Sequence, residues 1–104
     1  MVNAKTCPAA TPVTLTLALL PAYAKVKAAL MAEHLALVTN DPTDGVVEAT
    51  HTSHLFGFKD DIALSLHPAG AGTRIDMRAS ARTGQSDFGR DCRLVTRLRA
   101  ALTR

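Results

Sequence analysis

Tryptophan is absent from this 104-residue chain, and only three phenylalanines and one tyrosine supply aromatic rings. The platforms on which single-stranded bases stack are therefore nearly missing, and no nucleic acid is expected as a partner. Cysteine is limited to Cys7 and Cys92, with no C-x-x-C pair, so a structural zinc site has no support. A disulfide would have to join the N-terminal segment to a helix near the other end, and spacing alone does not decide it. Two idle thiols are the plainer expectation.

Long apolar runs are missing too. The longest, Val13 to Leu20, contains two threonines and stops at Pro21. A bilayer-crossing helix needs ~20 apolar residues. No apolar run follows Lys5, so nothing here reads as a signal peptide. The expected localisation on these residues alone is cytoplasmic, with membrane association if the chain was cut from a longer protein. Catalytic signatures are lacking as well. There is no Gly-x-Ser-x-Gly elbow and no His-Glu-x-x-His. Gly70-Ala71-Gly72 lacks the Lys-Ser/Thr of a phosphate loop, and Asp87-Phe88-Gly89 stands without the other kinase elements. No cofactor is expected, and the enzyme question leans towards no.

What is present is ordinary for one small globular domain: 47% hydrophobic residues, 20% charged residues and a net charge of +3. Met1 to Pro12 reads as an irregular lead-in, with the domain proper over 13–104. Val13 to Leu17 alternates apolar and polar, the period of a half-buried strand. Tyr23, Val26, Leu30 and Leu37 recur at helical spacing and predict a helix from Pro21 to Leu35. Asn40 to Gly45 is a turn cluster. Strands are predicted over Val46–Thr52, Asp61–His67 and Thr73–Ala81, with Pro68 to Gly72 as a hairpin loop. A last helix, capped by Ser86 or Asp87, carries an apolar stripe of Phe88, Cys92, Val95 and Leu102. The predicted fold is α+β: an antiparallel sheet of four or five strands with two helices on one face, in the order β-α-β-β-β-α.

Alternation also assigns the faces. With Val47, Ala49, Ile62, Leu64, Leu66, Ile75 and Met77 turned inwards, the outer face holds Thr14, Glu48, Thr50, Asp61, Ser65, His67, Arg74, Asp76, Arg78, Ser80 and Arg82. Such a face is either a solvated surface with cross-strand charge pairs or a place to hold an anion, since guanidinium forks onto a carboxylate or phosphate. His51 and His54, near Asp60 and Asp61, lack the spacing of any known ligand set, and no metal site is assigned. Arg90, Arg93 and Arg97 repeat along the last helix as a solvated basic stripe or a contact for anionic lipid.

Phe56-Gly57-Phe58-Lys59-Asp60-Asp61 and the stretch from Arg74 to Gly89 carry a resemblance. The first resembles the Gly-Phe-x-Asp-Asp element of the domain of unknown function 1499 family. The second is similar to its Asp-x-Arg-Ser-x-Ser-Arg-x-Gly-x-Ser-Asp-Leu-Gly element, and weaker similarity reaches back to Thr11-Pro12. The matching positions include Asp60, Asp61, Arg78, Arg82, Gly84, Ser86, Asp87 and Gly89. Ala79, Ala81 and Asp91 depart from it, standing where the family usually has Ser, Ser and Asn. The resemblance implies a bacterial or plastid protein, often joined to membrane-spanning segments or export signals, and an accessory or interaction role. The candidate site is accordingly Asp60, Asp61, Arg78, Arg82, Ser86 and Asp87, with the aspartates expected to pair with Arg78 or Arg82 as a folding latch. Three readings follow. The first is a binding or scaffold domain using the Arg-bearing face on a protein, a second copy or a small anionic ligand. The second is a small hydrolase-like enzyme on the Asp/Arg cluster. The third is weak electrostatic association with a membrane surface.

Overall fold

Alternating side chains build five antiparallel strands into one sheet, in the order β1-β5-β4-β3-β2. The computed structural model describes residues 6–39, 45–52, 59–81 and 90–104. Along these the elements are a 3-10 turn (Pro8–Ala10), β1 (Val13–Leu15), α1 (Leu19–Ala32), β2 (Ala36–Thr39), β3 (Val46–Thr52), β4 (Lys59–Ala69), β5 (Gly72–Ala81) and α2 (Arg90–Leu102). The fold is thus α+β, with two helices and a five-stranded antiparallel sheet among the described residues.

The longest pairing joins β4 to β5, in register from Asp60↔Ala81 to Ala69↔Gly72. Their turn is two residues, Gly70-Ala71, shorter than the predicted Pro68–Gly72 loop. Gly70 has φ 62°, which suits the first central position of a tight hairpin turn. Gly72 permits a close approach: a Cβ there would lie 2.1 Å from the Leu15 carbonyl oxygen. The β1 edge is held further by Thr73, whose buried hydroxyl donates to the Leu17 carbonyl at 2.9 Å.

One cluster of buried side chains joins the sheet to both helices. It takes alternate residues of the strands, such as Val47, Ile62, Leu64, Ile75 and Met77. To these α1 adds Tyr23, Val26 and Leu30, and α2 adds Leu94, Val95, Leu98 and Leu102. The spacing 94, 95, 98, 102 is one helical face. Of the predicted α2 stripe, Val95 and Leu102 lie in this core, while Phe88 falls outside the described residues.

Two expectations are corrected. The helix predicted to run to Leu35 ends at Ala32, and a strand, β2, follows that the sequence did not announce. The stop is made without glycine. His34 takes φ 60°, its N–H donates to Met31 at 3.0 Å, and the Leu35 N–H reaches back to Leu30 at 3.1 Å. This is the Schellman pattern, with the buried pair Leu30 and Leu35 supplying its hydrophobic contact. The cysteines are not idle thiols: Cys7 and Cys92 form a disulfide across a sequence separation of 85. It joins the lead-in to α2, and Arg99 strengthens the tie by donating to the carbonyls of Ala9, at 3.3 Å, and Thr11. With Cys7 and Ala10 buried, the described part of the lead-in, from Thr6 on, packs onto the body.

Candidate functional site on the outer face of the sheet

Of the predicted cluster, Asp60, Asp61 and Arg78 lie among the described residues, and these three do not share one face. Asp60 and Asp61 are adjacent on β4, so their side chains leave opposite faces. Asp60 is fully buried on the core side, with its Oδ2 3.8 Å from Nδ1 of His51 across the β3–β4 pair. Asp61 is half-buried on the outer side and accepts a hydrogen bond from the Thr50 hydroxyl at 3.3 Å. Arg78 is exposed on the outer side of β5 and pairs in register with Ala63, not with an aspartate. Of the two arginines expected to pair with an aspartate, Arg78 makes no hydrogen bond or ion pair among the described residues. Arg82, Ser86 and Asp87, and with them the proposed helix cap, lie outside the described residues, as do His54 and the Gly57-Phe58 part of the first motif.

The outer face carries rows of polar residues in fixed register. Thr50, Asp61 and Ser80 form one row across β3, β4 and β5, and Glu48, Ala63 and Arg78 form the next. Further along, Asp76 lies 3.4 Å from the His67 imidazole and 3.6 Å from the Arg74 guanidinium. Between the first two rows the face dips into an open depression of about 440 Å³, lined by Val38, Glu48, Asp61, Ala63, Arg78 and Ser80. Its floor is low because Ala63, at the centre, is the smallest side chain of its row. Val38, 63% exposed beside a register shift in β2, forms an apolar rim.

Sequence reasoning placed Glu48, Asp61, Arg78 and Ser80 on this face, but missed Ala63 and Val38. A small residue centred on a strand row is the signal that marks a hollow. Val38 had no signal, since β2 itself was unforeseen.

The basic residues of α2 are partly occupied. Arg97 is bound to Glu33 at 2.7 Å, and Arg99 to the lead-in carbonyls. Among the described residues, no group of three His, Cys, Asp or Glu is placed to hold a metal ion. Nor is any helix among them long and apolar enough to cross a membrane.

Fold and face together define a small disulfide-tied α+β domain with an open, Arg-bearing sheet surface. The sequence model of the family described as "Protein of unknown function (DUF1499)" matches residues 2–102, nearly the whole chain. The chain belongs to that family. No curated protein matches it.

Proposed function

We propose that this chain is a non-catalytic binding domain, and that the depression on the outer sheet face receives an anionic group at Arg78. One observation carries the reading. Arg78 is an exposed guanidinium on the wall of a hollow, without a partner among the described residues, while its strand neighbours Arg74 and Asp76 are paired to each other. A guanidinium presents a planar fork that matches a carboxylate or phosphate with two parallel hydrogen bonds. Ser80, two residues on along the same face, adds a hydroxyl. The separation of Asp60 from Asp61 and Arg78 across the sheet favours binding over the hydrolase-like alternative, which needs these groups to converge.

The disulfide adds a statement of place. Disulfides persist where thiols are oxidised and are rare in reducing cytosol. A bond between Cys7 and Cys92 favours a working environment outside the cytosol over the cytoplasmic reading of the bare sequence.

Calorimetric titration with acetate and with inorganic phosphate tests the binding reading. The expected result is weak, saturable binding to the parent chain that Arg78→Gln removes. Binding that survives in Arg78→Gln, or no binding to the parent chain, refutes it.

A further inference from the structure

The depression carries a second unused charge, of the opposite sign. Glu48, Ala63 and Arg78 stand side by side on β3, β4 and β5. Two strand spacings therefore separate the Cα atoms of Glu48 and Arg78, about 10 Å. Both side chains are exposed, and among the described residues neither forms a hydrogen bond or an ion pair. The methyl group of Ala63 lies between them and bridges nothing. The other carboxylates of this face are engaged: Asp76 with His67 and Arg74, and Asp61 with Thr50.

An anion seated on Arg78 would feel the Glu48 carboxylate at about one Debye length in ordinary salt, and would be repelled by it. A ligand that also carries a cation turns that repulsion into attraction. The uncharged middle of such a ligand would lie over Ala63, with Val38 on the Glu48 side of the hollow. We infer that the depression takes a small zwitterion, an amino-carboxylate whose carboxylate sits on Arg78 and whose ammonium sits on Glu48. The inference rests on the anion-binding reading above and adds the second point of attachment. The fixed separation of the two charges makes ligand length the selective feature, because a single charge contact cannot distinguish a short spacer from a long one. Acid and base on different strands of one rigid sheet hold that spacing without reorganisation on binding.

The test is a set of amide-resolved NMR titrations at low salt. The probes are a graded series of ω-amino acids, from β-alanine to 6-aminohexanoate, each beside the simple carboxylate of the same length. One length in the amino-acid series should bind about fivefold more tightly than its carboxylate, near the upper end of what an exposed ion pair gives. Glu48→Gln should reduce that ligand to the affinity of its carboxylate, and Arg78→Gln should abolish both. Both side chains are exposed, so both variants should fold. If every amino acid binds like its carboxylate while Arg78→Gln still abolishes binding, the zwitterion inference falls and the anion reading stands. If neither series binds, both fall.

Discussion

Cutting the disulfide should cost this domain a large part of its stability. The bond closes a loop of 85 residues. In the chain-entropy description, a loop of that length raises the free energy of the unfolded ensemble by about 4.5 kcal/mol at 25 °C. Whole domains of this size are stable by only ~5–15 kcal/mol. Scaled by the usual unfolding entropy per residue, the loss corresponds to a fall in Tm of roughly 20 °C. Cys7 is also fully buried, so replacing its sulfur removes packing as well as the crosslink. The assay is circular-dichroism melting of the oxidised parent against the Cys7→Ser/Cys92→Ser double variant, with the parent plus reductant as a second comparison. A fall of less than about 5 °C, near 1 kcal/mol, would show that Arg99 and the buried lead-in residues hold this segment without the crosslink. It would also show that the entropic argument does not apply here.

Three further substitutions probe the packing. Gly72→Ala should destabilise by about 1–3 kcal/mol and loosen β1, because its methyl meets the Leu15 carbonyl backbone at 2.1 Å; hydrogen exchange at Val13 and Leu15 reads this directly. Leu98→Ala empties a fully buried site between the helix and the sheet and should cost about 2–5 kcal/mol in urea unfolding. Arg97→Gln breaks a bridge to Glu33 whose members are 52% and 27% exposed, and should change stability by less than about 1 kcal/mol despite the 2.7 Å contact.

Much of the sheet was legible because each strand with one buried face must alternate. Ile62, Leu64 and Leu66 against Asp61, Ala63 and Ser65 fixed which side of β4 faces the core, and Ile75, Met77 and Ala79 did the same for β5. The end of α1 was not legible, because its left-handed stop is made by His34 and not by glycine, the residue that usually announces it. With that stop hidden, Leu35 continued the helical pattern, and the four residues of β2 were too few to declare a strand. The disulfide was hidden for a different reason. Two cysteines far apart in sequence meet only once the lead-in folds back along α2, and that return is made by backbone carbonyls accepting from Arg99, which leave no trace in the sequence. Of the candidate site, the face of Arg78 was readable from alternation. Its lack of a partner was not, because that depends on Ala63 being its cross-strand neighbour, a matter of register.

The claim that Arg78 is a receptor for an anionic group is tested most directly on the guanidinium itself. With arginine side chains labelled with ¹⁵N, the Nε–Hε signals of Arg74, Arg78 and Arg97 can be followed as acetate is added. The account predicts a saturable shift at Arg78, with Arg74 and Arg97 nearly still because Asp76 and Glu33 already occupy them. Equal, unsaturating shifts at all three would contradict it.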